Sequence, residues 1–465
     1  MRLSLPERAE CPAQTGLTDR TRRSTLDNPR QLALDLLGRV ANSTSYVNLL
    51  LPKELVKRDW SDADKGLVQE LTYGVLRWQL QYNLIIDNFT AGKTLSQNLR
   101  SAIQLGLHQL FRMRIPTHAA INESVDLVKG FENSAAGLAN AVLRNAERAG
   151  LETLLKELCK NKDEYSTLSI RYSHPLWIVT GMLSALDLDG RKDQLESLLA
   201  ANNEVPAVNL IALTEQAAER LDDSGVERGE VSPRGFLAKG NLTAVLSDSE
   251  VRVQDQGSQL VALAFAEIAP SGGNWLDMCS GPGGKSAVLE RQLSPTGRLT
   301  CYEPNAKRAK LVESALVVGG SSVVEIRNGQ DAPALAFEAV LLDAPCAGLG
   351  SLRRKPESRW SKAPEQLPGL IKLQADLVDA AVKTLKPGGY LLYATCSPLV
   401  IETNAQIRAA LDRHSDLELL DLVPILKSIS PDLELNQNRK TVQLWPNLHK
   451  TDAMFMALLQ KKAEH

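Results

Sequence analysis

After Gln254 the chain alternates short apolar segments with helical ones, and this alternation restricts its fold more than any other feature. Four of the apolar segments are Asn274–Met278, Arg298–Glu303, Ala339–Asp343 and Tyr390–Ala394. Strands that alternate with helices form a mostly parallel sheet with helices on both faces. We therefore predict a doubly wound α/β domain over residues 251–465.

The region before this domain has different patterns. Residues 29–150 carry apolar side chains at helical spacing with almost no strand signal, which predicts an all-α bundle. Residues 151–250 combine helical stretches with two strand-like segments, 206–213 and 242–246, and we expect a small connecting α+β subdomain. Residues 1–28 show no periodicity and are expected to form a flexible tail.

Composition narrows the class of protein. The chain has 53 basic and 55 acidic residues, a formal net charge of −2, which excludes a histone-like protein but leaves room for a local basic face. Its apolar runs fall short of the roughly 18 residues that a membrane span needs, and its first thirty residues are too charged for a secretory signal. We expect a cytoplasmic protein without a membrane segment.

The six cysteines are scattered and include no C-x-x-C pair. Neither a disulfide framework nor a metal site is therefore expected.

A glycine-rich turn follows the first apolar segment and opens a helix. It reads Asp277-Met-Cys-Ser-Gly-Pro-Gly-Gly-Lys-Ser. Glycines let the backbone turn tightly and approach a ligand, and the amides at a helix start can meet a polar or anionic group. Glu303 stands 19 residues beyond Gly284, where an acidic side chain can accept hydrogen bonds from a ribose diol. Together these features predict a nucleoside site.

The spacing in the turn argues against a phosphate chain on that nucleoside. A phosphate loop of nucleotide hydrolases needs glycine where Cys279 stands, and G-x-G-x-x-G fails at Ser286. S-adenosylmethionine fits instead, because it is an adenosine with an amino-acid tail. Asp277 could meet the ammonium group of that tail, and the loop amides could meet its carboxylate.

Two further cysteines follow strand ends. They lie in Asp343-Ala-Pro-Cys346 and Thr395-Cys396-Ser397. In a doubly wound sheet such ends share one crevice with the nucleotide. Methylation of carbon 5 of a pyrimidine needs a thiolate that adds at carbon 6, because carbon 5 alone is too weak a nucleophile. Asp343 could stabilise the charge that develops on the ring, but mechanism alone does not say which cysteine attacks.

A basic stretch lies between the two cysteines. Residues 351–362 carry five cations and one anion, with an indole among them. Cations that bind phosphates and an aromatic ring that stacks on a base suit single-stranded RNA. We predict RNA contacts from Arg353, Arg354, Arg359 and Trp360. The target base would have to be flipped out or looped out to reach both thiol and methyl group.

In order and spacing, three motifs resemble those of RNA cytosine-5 methyltransferases of the NOL1/NOP2/Sun family. They are Asp277-Met-Cys-Ser-Gly-Pro-Gly-Gly-Lys, Asp343-Ala-Pro-Cys-Ala-Gly and Tyr393-Ala-Thr-Cys-Ser. Residues 29–150 are similar to a NusB-like RNA-binding domain. The resemblance covers most of residues 29–465, is specific in the catalytic third and is looser over 151–250. It implies a class I methyltransferase with a Rossmann-like sheet that forms 5-methylcytosine in 16S ribosomal RNA.

The same resemblance assigns roles to residues. It implies that Cys396 is the nucleophile, and that Cys346 assists product release or proton removal. It also implies that residues 279–285, Glu303 and Asp343 line the S-adenosylmethionine site. Together with Asp277 and the adenine candidate Asp331, the predicted cofactor-binding residues are Asp277, Cys279, Ser280, Gly281, Pro282, Gly283, Gly284, Lys285, Glu303, Asp331 and Asp343. The chain departs from the family at the adenine contact, where Arg327-Asn-Gly-Gln-Asp331 replaces an Asp-Gly pair. Asn328 and Asp331 are both candidates for that contact.

Two alternative functions compete with a methyltransferase. The first is an RNA-binding or ribosome assembly factor with an inactive methyltransferase fold, against which the two intact cysteines argue. The second is a Rossmann oxidoreductase, which the missing G-x-G-x-x-G disfavours. The expected partner is 16S ribosomal RNA, either naked or within an assembly intermediate of the small subunit.

Overall fold

A computed structural model describes residues 28–42, 46–238, 245–317 and 319–463. The chain divides into two compact units, residues 1–157 and 158–465, and the boundary falls within the helix Leu151–Leu158. Most of the predicted tail, residues 1–27, lies outside the described part. None of the described helices combines the length and apolarity that crossing a membrane demands.

The first unit is helical throughout its described part. Its helices are Pro29–Ala41, Val47–Leu55, Asp62–Thr90, Gln97–Arg112, Thr117–Glu132, Ala136–Ala149 and most of Leu151–Leu158. Asn28, Ser61 and Ser96 cap three of them, since each side chain accepts a hydrogen bond from a backbone N–H of the first turn. The long helix Asp62–Thr90 bends at Trp78, whose backbone leaves the helical region.

The bundle holds together through apolar side chains at helical spacing. Leu99, Ile103 and Leu107 recur along one helix and are at most 3% exposed. Burying such a side chain fully contributes about 1.5–3 kcal/mol. Gly106 lets two helices come close, because a Cβ there would lie 2.7 Å from a methyl carbon of Leu143. The predicted all-α bundle is confirmed.

The second unit begins with short helices and a small antiparallel sheet. The helices are Glu164–Tyr172, Leu176–Leu188, Leu195–Ala201 and Glu215–Asp223. The strands β1 (Val208–Ala212), β2 (Glu227–Arg228), β3 (Gly235–Ala238) and β4 (Val251–Val253) lie in the order β2-β3-β1-β4. The predicted α+β character is confirmed. The strand predicted at 242–246 falls partly outside the described residues, and Val245–Ser247 forms a 3-10 turn instead.

A second, larger sheet forms the rest of this unit. Its strands are β5 (Asn274–Asp277), β6 (Arg298–Tyr302), β7 (Ser322–Glu325), β8 (Phe337–Asp343), β9 (Leu385–Thr395), β10 (Leu417–Leu420), β11 (Val442–Gln443) and β12 (Phe455–Lys461). Their order is β10-β12-β9-β8-β5-β6-β7, and β11 pairs with β12. The strands from β5 to β9 pair in parallel, whereas β10, β11 and β12 pair antiparallel. The Rossmann-like sheet expected from the sequence is confirmed.

Helices cover both faces of this sheet. The helices in this part of the chain are Gln256–Ile268, Gly284–Glu290, Ala306–Ala315, Ser358–Ser361, Leu367–Thr384, Asn404–Arg413, Val423–Ile429 and Pro446–His449. One core packs around Trp275 and Phe265, and a second packs around Tyr393 and Phe455. The sequence predicts an apolar segment that starts only at Tyr390, but β9 already begins at Leu385. The difference arises at an irregularity in the register, where Phe337 pairs with Leu385 and Ala339 pairs with Tyr390.

Candidate active site

The order of strands reverses beside β5, at the edge of the sheet where a ligand crevice is expected. The chain runs from β5 outward through β6 and β7 and then crosses to β8 on the other side of β5. Such a reversal is the point at which open α/β sheets bind ligands, outside the carboxyl ends of their strands. The loops after β5, β8 and β9 carry the glycine-rich turn, Cys346 and Cys396 respectively. The fold thus brings all three predicted motifs to one edge.

The glycine-rich turn is shaped by two residues with positive φ. Gly281 has φ +59° and Gly283 has φ +89°, a region in which other residues are strained. A Cβ on Gly283 would also lie 2.8 Å from the Cβ of Ala315 and 2.9 Å from the Cα of Val312. The Ser280 N–H donates to the Tyr302 carbonyl of the neighbouring strand. The turn is therefore held against the sheet, and the helix Gly284–Glu290 starts from it.

Asp277 is the buried acid at the start of this turn. It is 1% exposed, and its Oδ2 accepts a 2.6 Å hydrogen bond from the Ser286 hydroxyl. Its Oδ1 is buried with no hydrogen-bond partner among the described residues. Burial raises the pKa of Asp277 to about 6, and the nearby charge of Asp343 acts in the same direction. An unsatisfied carboxylate oxygen at this place fits the ammonium group of S-adenosylmethionine.

Glu303 follows β6, as the spacing predicts. Its Oε1 accepts the N–H of Asn305 at 2.9 Å, and its Oε2 lies 3.3 Å from a guanidinium nitrogen of Arg308. A carboxylate oriented in this way can accept hydrogen bonds from a ribose diol. Asn328 and Asp331 are both exposed, and the Asn328 amide donates to the Asp331 carboxylate at 3.3 Å. Contact of either residue with adenine stays a prediction.

Lys285 and Asp343 form an ion pair across the crevice. The Lys285 Nζ donates to the Asp343 Oδ2 at 2.6 Å, and the lysine side chain is 12% exposed. Burial alone would lower the pKa of Lys285, but the charge and hydrogen bond of Asp343 raise it above its ordinary value. The pair therefore joins the glycine-rich turn to the loop that carries Cys346, with the lysine as a cation.

The two cysteine sulfurs lie 3.5 Å apart, and both residues are half-buried rather than covered. The hydrogen bond between the two sulfurs lowers the pKa of Cys396. Lys355 lowers it as well, against the opposing effects of burial, Asp343 and Asp452. The pKa of Cys346 is raised by the same hydrogen bond, by burial and by the nearby carboxylates. The environment thus favours the thiolate at Cys396.

A further cysteine, Cys279, lies in the glycine-rich turn itself. Burial and the surrounding carboxylates raise the pKa of Cys279, so this residue stays a thiol and is unsuited to attack a ring. Within the described ranges, no group of three or more histidine, cysteine or acidic side chains could hold a metal ion.

The basic segment, predicted to contact RNA, is only partly at the surface. Arg359 is 1% exposed and donates to the carbonyls of Ser173 and Asn202 and to the side chain of Asn203. Arg353 is buried as well. The structure therefore does not bring these two predicted RNA contacts to the surface, because the positive charge of Arg359 is satisfied by acceptors within the unit.

The other two predicted RNA contacts keep partial exposure. Arg354 is 40% exposed and binds the carboxylate of Asp452 through two nitrogens. Trp360 is half-buried. Contact of Arg354 and Trp360 with RNA stays a prediction.

Sequence reasoning missed the buried polar residues behind the two cysteines. Glu402 is 0% exposed and accepts hydrogen bonds from the residues that follow Cys346 and Cys396. Gln374 is equally buried and donates to Glu402. The one available signal was the acidic residue six positions after Cys396, which has no meaning until the fold is known.

Comparisons with known proteins find two matching family models and several related methyltransferases. Residues 267–460 match the family model described as 16S rRNA methyltransferase RsmB/F, and residues 27–148 match the NusB family. A putative methyltransferase of Mycobacterium tuberculosis is 35% identical to this chain over 95% of the chain and 98% of its own length. The ribosomal RNA small subunit methyltransferase B of Pseudomonas syringae is 33% identical over 85% of this chain and 89% of its own length.

The chain belongs to the RsmB/F methyltransferase family. The resemblance drawn from the three motifs is thereby confirmed. The RsmB/F family comprises ribosomal RNA methyltransferases, and S-adenosylmethionine is the methyl donor of the family. A third relative, the ribosomal RNA small subunit methyltransferase B of Shigella flexneri, is 30% identical over 94% of this chain and 99% of its own length.

Solved structures support the fold of this RsmB/F member. The crystal structure of PH0851 has a TM-score of 0.69 and 22% identity, and covers 88% of this chain and 93% of its own. A methyltransferase homologue from Pyrococcus horikoshii has a TM-score of 0.53 and 20% identity, and covers 64% of this chain and 99% of its own. At these identities the likeness concerns the fold.

Proposed function

We propose that this chain methylates carbon 5 of a cytosine in 16S ribosomal RNA by transient covalent addition of Cys396 to carbon 6. The observation that carries the proposal is the pair of half-buried sulfurs 3.5 Å apart beside the glycine-rich turn. S-adenosylmethionine supplies an electrophilic methyl group when it is bound at Asp277, Glu303 and the turn between them. The relatives named above support 16S ribosomal RNA as the substrate.

In the first step the Cys396 thiolate forms a bond to carbon 6 of the ring. The ring electrons then accumulate at carbon 5, which becomes nucleophilic enough to take a methyl group. Asp343, held by Lys285, has a second carboxylate oxygen that can accept a hydrogen bond from the exocyclic amine of cytosine. Lys285 supplies positive charge near the ring as electron density builds up on it.

In the last step a base removes the proton from carbon 5, and the bond between sulfur and carbon 6 breaks. Cys346 is the group that lies next to the attacking sulfur, and we assign it to proton removal or product release. The product cytosine carries the new methyl group, and Cys396 returns to its starting state.

Substitution of each cysteine tests the assignment. We expect Cys396→Ala to abolish transfer of labelled methyl groups to unmodified 16S ribosomal RNA. Cys346→Ala should accumulate a covalent protein–RNA adduct, visible as a slow band on a denaturing gel. The roles would be reversed if the adduct formed in Cys396→Ala and disappeared in Cys346→Ala. No methyl incorporation by the unchanged protein, on naked RNA or on small-subunit assembly intermediates, would favour an assembly factor.

A further inference from the structure

Glu402 is a fully buried carboxylate whose two oxygens are both hydrogen-bonded. Its Oε1 accepts the backbone N–H of Ala347 at 2.8 Å and the amide of Gln374 at 3.1 Å. Its Oε2 accepts the hydroxyl of Ser397 at 2.5 Å. The backbone carbonyl of Glu402 accepts the hydroxyl of Tyr393 at 2.8 Å, which fixes the residue against β9. Glu402 is thus immobilised from several sides.

Two of the three groups that donate to this carboxylate stand next to the two cysteines. Ala347 directly follows Cys346, and Ser397 directly follows Cys396. Gln374 holds the first loop a second time, because its amide also donates to the carbonyl of Pro345 at 2.9 Å. One side chain therefore connects two loops that belong to different strands.

Burying a carboxylate is energetically unfavourable, so a connection that serves stability alone would not need one. Removing an ionised group from water costs several kcal/mol, and its hydrogen bonds must offset that cost. The donors to Glu402 named above are neutral groups, so no ion pair with them offsets the cost. Hydrogen bonds to an ionised acceptor are shorter and about twice as strong as neutral ones, which makes such a connection stiff.

We propose that Glu402 is a positioning residue that sets the distance between the sulfurs of Cys346 and Cys396. The effect of this distance on catalysis rests on the proposed function, since both sulfurs must reach the same pyrimidine ring in turn. A displacement of about 1 Å in such an arrangement can reduce the rate about 100-fold. The spacing itself does not depend on the proposed function and can be measured without RNA.

Phenylarsine oxide measures the spacing directly, because its arsenic binds two neighbouring thiols and releases one water molecule. When the full-length protein binds this reagent, two titratable thiols should be lost. The Cys346→Ala variant should show the background reaction of the remaining cysteines. We expect Ser397→Ala, which removes one donor, and Glu402→Gln, which removes the charge, to slow the capture at least about tenfold. Glu402→Ala should slow it further if that variant folds.

Glu290→Gln is the matched control. Glu290 is another buried carboxylate; it accepts the backbone N–H of Val317 at 2.7 Å and pairs with Arg291, and neither of these bonds involves a cysteine loop. This variant should capture the arsenical at the rate of the unchanged protein even if its melting temperature falls. Unchanged capture in both Ser397→Ala and Glu402→Gln would overturn the proposal and leave Glu402 a purely structural group.

Turnover gives the second measurement. Ser397→Ala and Glu402→Gln should lower kcat and slow release of the covalent adduct about tenfold or more, with little change in KM for RNA. Slow capture of the arsenical with normal kcat and adduct release would refute the catalytic consequence of the spacing. If the unchanged protein forms no adduct, the proposed function fails, whereas the arsenical result still tests the spacing.

Discussion

The glycine-rich turn and the basic segment were both predicted from local sequence to bind ligands, yet the structure treats them differently. In the turn, Gly281 and Gly283 adopt the positive φ angles that glycine permits, and the loop stands at the crevice as expected. In the basic segment, Arg359 is buried and Arg354 binds Asp452. A conformational requirement is a property of the residue itself, whereas a charge acquires its role from whichever acceptor the fold brings to it.

Among the variants that test this comparison, we expect substitution of Arg359 to have the largest effect. We expect Arg359→Met to lower the free energy of unfolding by about 3 kcal/mol, because the carbonyls of Ser173 and Asn202 lose their donors in a buried place. Urea denaturation measures it, with the exposed Arg408→Met as a control that should change stability by less than about 0.5 kcal/mol. If Arg359→Met had normal stability but bound RNA more weakly, Arg359 would be an RNA contact after all.

Adding a methyl group to the glycine-rich turn should have the second-largest effect. Gly283→Ala forces alanine into φ +89° and places its Cβ against Val312 and Ala315, at a cost of about 1–3 kcal/mol. We expect at least about tenfold weaker S-adenosylmethionine binding in calorimetry, since the turn must move. Gly369→Ala adds a Cβ in open space within a helix and should leave binding unchanged. Equal binding in both variants would show that the turn tolerates displacement.

The pH dependence of cofactor binding tests Asp277. Its pKa is raised to about 6, and only the ionised form attracts an ammonium group. The Kd for S-adenosylmethionine should therefore be constant well above pH 6 and rise by up to about tenfold per pH unit below it, or about 1.4 kcal/mol per unit. Asp277→Asn should bind weakly at all these pH values without that slope. A slope that persists in the variant would assign the titration to another group.

The raised pKa of Asp277 also affects stability in the absence of cofactor. Because the folded value lies above the ordinary value of 3.8, the protonated form is favoured by folding. The contribution of protonated Asp277 to the free energy of unfolding should be complete below pH 4 and decline as pH rises through about 6. Comparison of unchanged protein and Asp277→Asn by thermal denaturation between pH 4 and 8 isolates this contribution. A difference that stays constant with pH would contradict it.

The smallest effects are expected on the partly exposed side of the basic segment. Trp360→Leu should weaken binding of single-stranded RNA by about 1 kcal/mol through loss of stacking. Lys362→Gln should reduce the slope of log affinity against log salt by about 1, the signature of one lost phosphate contact. Filter binding between 50 and 200 mM salt measures both. Unchanged affinity and slope would mean that this segment is purely structural.

Local patterns predicted much of the second unit. The strands before the glycine-rich turn, before Cys346 and before Cys396 were all placed from apolar runs that end in a turn. The antiparallel strands β10, β11 and β12 were not predicted. Their pairing joins residues far apart in the chain, such as Leu417 with Lys461, and no local pattern encodes a distant partner.

By itself, then, the sequence determined the elements whose cause is local: the helical bundle, the α/β alternation, the turn that requires Gly283, and the two thiols that follow strand ends. The tertiary structure decided how those groups are used. It placed the sulfurs 3.5 Å apart, connected their loops through Glu402 and withdrew Arg359 from the surface. The physical reason is that hydrogen bonds and electrostatic interactions depend on distances in space, which only the completed fold establishes.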